Sequence, residues 1–212
     1  MSIDSSRLDG VLRVKPLSIT DGHINSNAAI ARTKLALDSL KCYQQNLTAA
    51  RVWDALQTNL PGTGATDDLE LYSGTYGTNS MAIRTGDFKT TTITRRCRMQ
   101  IPIPMEYEAG EDINIRLHAG MMTTVADTSC TIDVEAYKSD QDAGIGSDLV
   151  STAATTINSL TSADKDFVVD GATLSPGDWL DVRITIAGVD AATGTAVIGQ
   201  FGSIELLVDV RG

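Results

Sequence analysis

Residue types that do chemistry are sparse in this chain and do not gather. The two histidines, His23 and His118, lie far apart, so a histidine metal site or a catalytic triad would need both from distant segments. Each reads as an ordinary surface or interface residue. The three cysteines, Cys42, Cys97 and Cys130, have neither paired nor metal-knuckle spacing. Cys97 is in phase with Met99, Ile101 and Ile103, and Cys130 with Ile132, Val134 and Ala136, which predicts free thiols buried as small hydrophobes. Asp140, Asp142 and Asp148 around Gly144 and Gly146 are distantly similar to a calcium loop. The Asp-x-Asp-x-Asp-Gly order and the closing Glu are missing, which leaves calcium a weaker alternative to a plain solvated loop. Asn46-Leu47-Thr48 matches a glycosylation sequon, but Thr48 is better explained as a helix cap. There is no Gly-x-Ser-x-Gly elbow, phosphate-binding glycine loop or dinucleotide fingerprint. No catalytic residue, metal or cofactor is therefore assigned. A metal-dependent or hydrolytic enzyme would lack the clustered His and Glu ligands it needs.

The sharpest basic feature is Arg95-Arg96-Cys97-Arg98. Alternation puts Arg96 and Arg98 on one strand face and Arg95 on the opposite, core-phased face. Ion pairs with Asp or Glu on neighbouring strands would account for the cluster, and the functional alternative places Arg96 and Arg98 at a subunit interface.

The elements that carry these residues read as strands. Asp112 to His118 alternates Ile113, Ile115 and Leu117 with Asn114, Arg116 and His118. Trp179 to Ile186 sets Leu180, Val182, Ile184 and Ile186 against Asp181, Arg183 and Thr185, and Ser203 to Arg211 repeats the pattern. Such period-two segments are half-buried antiparallel strands. Further strands are expected near 69–72, 81–83, 90–103, 130–137, 166–169 and 195–201. With turns at Glu108 to Asp112 and Ser175-Pro176-Gly177-Asp178, the fold class is all-β, an antiparallel sandwich of jelly-roll type.

Texture changes near Pro61. Residues 1–60 read as an arm with short helices, at Asn27 to Leu40 and at Leu47 to Leu60, where Val52, Leu56 and Leu60 are four apart. Residues 61–80 read as a hinge and first edge, and 81–212 as the jelly-roll domain. Ser139 to Ala163 is the expected variable loop. The arm carries seven Lys and Arg against five Asp, a net +2, while the remainder carries 10 basic and 22 acidic residues, a net −12. A weakly basic arm on an acidic body argues for a partner of the arm and against nucleic acid for the body. With no charged-then-apolar leader and no apolar run of membrane-span length, synthesis in the cytosol without membrane insertion is expected.

Two phrases carry a resemblance. Ile24-Asn25-Ser26-Asn27-Ala28-Ala29-Ile30-Ala31-Arg32-Thr33-Lys34-Leu35 is similar to the I-x-x-x-A-x-I-x-x-x-K-L phrase of structural proteins of tailed bacteriophages. Leu174 to Arg183, with Ser175-Pro176-Gly177-Asp178-Trp179, resembles the late strand pair of their jelly-roll capsid decoration (cement) and head-fibre proteins. The resemblance implies an oligomer, a trimer above all, seated on the outer capsid surface of a virion, with the major capsid protein as partner and neither cofactor nor catalysis. On that expectation the arm docks on the shell: Arg7, Arg13, Lys15, Arg32 and Lys34 meet an acidic capsid surface, and Val11, Val14, Leu17 and Ile30 fill apolar pockets. The alternative is a carbohydrate or host-receptor binding module of a phage tail or fibre. Sugar sites favour exposed aromatic platforms, and with aromatic residues at 5%, Trp53 and Trp179 are expected as helix packing and strand-edge packing.

Overall fold

Alternating apolar residues drive the strands into two facing layers. The computed structural model describes residues 40–63, 66–139 and 144–210. Twelve strands are present among them: β1 (Leu40–Gln45), β2 (Arg51–Val52), β3 (Ala55–Asn59), β4 (Glu70–Tyr72), β5 (Ala82–Arg84), β6 (Thr92–Pro102), β7 (Ile113–Met121), β8 (Ser129–Ser139), β9 (Thr155–Thr156), β10 (Ala163–Val169), β11 (Trp179–Val189) and β12 (Gly199–Asp209). One sheet runs β10-β7-β12-β5-β4 with β1 also paired to β12, and the other runs β3-β2-β6-β11-β8-β9.

The order of the last eight strands defines the topology. Renumbered one to eight, β5 to β12 give 1-8-3-6 in the first sheet and 2-7-4-5 in the second. The chain crosses between layers at most connections and closes two nested Greek keys, which is a jelly roll. All strand pairings in both sheets are antiparallel.

The inward faces are the apolar phases of the strands. Cys97, Met99 and Ile101 from β6, Ile132 and Val134 from β8, and Val182 and Ile184 from β11 face Ile113, Ile115 and Leu117 from β7 and Leu206 and Val208 from β12, and all of these are buried. At about 1.5–3 kcal/mol per large side chain withdrawn from water, this layer dominates the stability of the body. Cys97 and Cys130 are free and buried, as their phase predicts. Burial pushes the Cys130 thiol up to about 12 and raises that of Cys97 as well, so both stay protonated at neutral pH.

Two expected strands, 195–201 and 203–210, form the single strand β12, whose register on β7 shifts between Phe201 and Ile204. Gly202 sits in that irregularity, where an extra residue lets Phe201 and Ile204 both face the core. Ser175 to Asp178 forms the expected tight turn, with Gly177 at φ 85° and the Asp178 N–H donating to the Ser175 carbonyl at 3.1 Å.

The helix expected over 47–60 does not form. Leu47–Ala49 makes one 3-10 turn, capped by Asn46, not Thr48, through an N–H bond from Thr48 to Asn46 Oδ1 at 3.0 Å. The chain then folds back as the β2–β3 hairpin, with Arg51 of β2 opposite Arg98 of β6. The four-residue spacing of Val52, Leu56 and Leu60 mimics a helical stripe, but pairing with the open edge of β6 outweighs local propensity. Residues 40–60 consequently belong to the sheets and not to a separate arm, and contacts divide the chain between Asp38 and Ser39. Leu40, taken as the end of the first helix, begins β1; residues 27–39 lie outside the described residues. The segment 61–80 contributes β4 and the fully buried Leu69, so it forms part of the body.

Candidate binding face

The outward phase of the second sheet brings together a set of polar and aromatic side chains. Strand register fixes the rows. Arg51 of β2 lies opposite Arg98 of β6, which lies opposite Arg183 of β11, which lies opposite Glu135 of β8. In the next row toward one end of the sheet Asp181 lies between Gln100 and Tyr137, and beyond it Trp179 lies between Pro102 and Ser139.

Three arginines in one register row repel unless something neutralises them. Arg98 is clamped by Asp181, its Nε donating to Oδ1 at 2.7 Å and its Nη2 to Oδ2. That carboxylate raises the guanidinium pKa further against the opposing effect of burial. Arg183 donates from Nε and Nη2 to Glu135 Oε2. Arg51 turns back on its own loop, with Nη1 2.8 Å from the Thr48 carbonyl and 3.4 Å from that of Ala50.

Trp53 sits at the tip of the β2–β3 hairpin, its Nε1 donating to Asp67 Oδ2 at 3.1 Å. The Arg96 guanidinium lies 5.2 Å from the ring centroid and that of Arg183 5.8 Å away, within cation–π range. The expectation that Trp53 serves helix packing is thereby corrected: with a hairpin in place of the helix, its ring is half-buried over the sheet and shared by two arginines.

Trp179 is different. It is the first residue of β11, is 43% exposed and forms one wall of an open cleft of about 490 Å³. Ala49, Arg51, Leu56, Gln57 and Gln100 complete the lining. Gln57 and Gln100 are exposed, and each amide can both donate and accept. Trp179 is thus not consumed by strand-edge packing. An indole face beside two amides and a guanidinium suits a ligand with apolar C–H surface and several hydroxyls.

Of the residues singled out from the sequence, Arg96 and Arg98 share this outward face, while Arg95 points the other way and donates from Nη1 to the Thr85 carbonyl. The intrachain Arg98–Asp181 pair is the strand-neighbour ion pair considered from the sequence. Arg7, Val11, Arg13, Val14, Lys15, Leu17, Ile30, Arg32 and Lys34 lie outside the described residues, as does His23. His118 Nδ1 meets Asp164 Oδ1 at 2.8 Å, on the other sheet. Asp140 and Asp142 fall outside the described residues, and Asp148 Oδ1 is engaged by the N–H groups of Ala136 and Val150 at 2.9 and 3.1 Å. Among the described residues no group of three or more His, Cys, Asp or Glu could hold a metal ion. Arg51, Leu56, Gln57 and Gln100 escaped the sequence reading because three of them were placed in a helix. The one available signal was Gln100, a polar residue alternating with the apolar phase of β6.

No family model matches the chain, and a comparison with curated proteins finds no match. Among solved structures, the chain is similar to the xylan-binding module CBM15, with a TM-score of 0.43 and 12% identity, covering 81% of this chain and 99% of that one. It is also similar to the CBM22-1 xylan-binding domain of Xyn10C from Paenibacillus barcinonensis, with a TM-score of 0.38, 9% identity and coverage of 68% and 83%. A third likeness is to infectious bursal disease virus, Gx strain, with a TM-score of 0.36, 15% identity and coverage of 81% and 33%. None of these scores reaches 0.5, so the site is read from its own residues.

Proposed function

We propose that this chain is a non-catalytic binding module that takes carbohydrate on the Trp179 face of its second sheet. The observation that carries the reading is the cleft itself, where an exposed indole stands beside Gln57, Gln100 and Arg51 on a rigid jelly-roll scaffold. A pyranose ring can stack its C–H face on the indole while its hydroxyls exchange water for the two amides. The cleft is open, which suits a chain binding along the sheet better than a small molecule that must be enclosed. A glycan array probed with the intact protein tests this. Retained glycans are expected to lose at least about tenfold in affinity in a Trp179→Ala variant, the equivalent of about 1.4 kcal/mol, with the thermal midpoint unchanged. An array without hits, or hits indifferent to Trp179, would overturn the reading.

A second reading concerns where the module sits, and it rests on the division of contacts between Asp38 and Ser39, together with the phage-like phrases in the sequence. We propose a virion structural protein on an outer phage capsid surface, anchored to the major capsid protein by the basic and apolar residues of the arm. Its homo-oligomer, a trimer, would bring Arg96 and Arg98 near the subunit boundary. Replacing Val14 and Leu17 together by Asp is expected to abolish attachment to undecorated particles while leaving the melting transition intact, because apolar burial outweighs exposed ion pairs in holding the arm. Attachment of the double variant at wild-type level would place the anchor elsewhere.

A further inference from the structure

The guanidinium of Arg51 differs from those of the arginines that meet carboxylates. Arg98 meets Asp181, Arg116 meets Asp166 and Arg183 meets Glu135, each through the side-on fork of Nε and Nη2. Arg51 commits only Nη1, to two backbone carbonyls of its own loop. Among the described residues no carboxylate pairs with it, although it stands in the same register row as Arg98 and Arg183. It is also the one charged residue lining the Trp179 cleft, in a body that is otherwise strongly acidic. Asp181 and Glu135 already neutralise Arg98 and Arg183, so in this row Arg51 is the guanidinium whose counter-ion a ligand anion can supply. The vacant fork supplies two parallel donors at the spacing of a carboxylate's two oxygens.

We infer that the cleft selects a carboxylate-bearing sugar, with the ring stacked on Trp179, hydroxyls on Gln57 and Gln100, and the carboxylate on Nε and Nη2 of Arg51. This inference rests on the carbohydrate reading above and names the ligand class for the same cleft. The acidic body turns the preference into a local one. Long-range repulsion lowers the rate at which an anionic glycan arrives, and the fork of Arg51 prolongs its stay once docked.

The test uses the intact protein and four probes, measured by calorimetry at low salt. These are an oligogalacturonate, the same oligosaccharide fully methyl-esterified, a neutral galacto-oligosaccharide of equal length and a sialyl-oligosaccharide. The free oligogalacturonate or the sialoside is expected to bind at least about tenfold tighter than the neutral chains, and esterification to erase the advantage, as loss of one charge-assisted hydrogen-bonded pair requires. Preference for one acid over the other identifies the source of the carboxylate. Arg51→Gln is expected to erase the at least about tenfold advantage of the acid over its methyl ester, whatever its effect on affinity for the neutral chains, and Arg51→Lys to restore part of that ratio through charge without the fork. Equal wild-type affinity for the acid and its methyl ester, with both lost in Trp179→Ala, would overturn the inference and leave the carbohydrate reading standing. Binding of none of the four probes, together with an empty array, would overturn both. The ester comparison needs no variant, so it holds even where a substitution at Arg51 disturbs the hairpin.

Discussion

Glu70→Ala is expected to be among the most damaging single substitutions in the body, costing about 3–5 kcal/mol. Glu70 is 2% exposed and ion-pairs with Arg84 through Nε. Arg84 is fixed from two further sides, its guanidinium 3.9 Å from the Tyr72 ring centroid and its Nη1 3.5 Å from Met122 Sδ, so it cannot swing out to water without giving up both contacts. Arg95 approaches the same spot, since a Cβ placed on Gly86 would lie 3.0 Å from Arg95 Nη1 and 3.5 Å from Glu70 Oε2. Its Nε is already a buried donor with no hydrogen-bond partner. Removing the carboxylate therefore leaves the mostly buried Arg84 guanidinium without its ion-pair partner, which costs more than the pair itself contributes. For a body of this size each kcal/mol moves the midpoint by about 2–4 °C, so a drop of roughly 10 °C is expected by scanning calorimetry. A change under about 2 °C would mean that water reaches Arg84 after the truncation, and the pocket would then be better described as solvated.

Asp190 is the second point of large leverage, and its effect depends on pH. Its carboxylate, 2% exposed, accepts the N–H of Thr90 at 2.7 Å, of Asp127 at 3.0 Å and of Thr193 at 3.2 Å, together with the Thr193 hydroxyl. Three loops converge there, including Thr90, which holds φ at 57°, a conformation a threonine adopts only when its surroundings impose it. Burial alone would raise the pKa, but these donors outweigh it and hold the group at about 2, below the ordinary value of 3.8. A carboxylate depressed in the folded state adds stability above its unfolded pKa and loses it as pH falls toward the folded one. The contribution is therefore complete above about pH 4 and fades toward pH 2. Asp190→Asn is expected to lower the midpoint at pH 7 and to flatten the acid limb, so that wild type and variant converge by about pH 2. Parallel curves from pH 7 to pH 2 would show that Asp190 does not titrate with folding.

The carbohydrate and capsid proposals concern different residues of the chain. Trp179→Ala and the Val14 and Leu17 double variant therefore test separate proposals, glycan binding and particle attachment.

Much of the fold was legible in the residues because a half-buried strand writes its burial as a period of two. Ile113, Ile115 and Leu117, or Val182 and Ile184, could hardly alternate with charged and polar neighbours for any other reason, and turns such as Pro176-Gly177 mark where such runs end. That local code determined the all-β class, the buried state of Cys97 and Cys130, and the outward phase of Arg96 and Arg98. It could not determine who neighbours whom. Val52, Leu56 and Leu60 satisfy a helical spacing as well as any short amphipathic helix does, and only the open edge of β6 made the hairpin win. The cleft followed from that decision, since Arg51 and Gln57 reach Gln100 and Trp179 across strands that lie some 40 to 130 residues apart in sequence. Sequence alone set which face each side chain takes, because alternation is a property of one strand. The tertiary structure decided which faces meet, because register and pairing are properties of two.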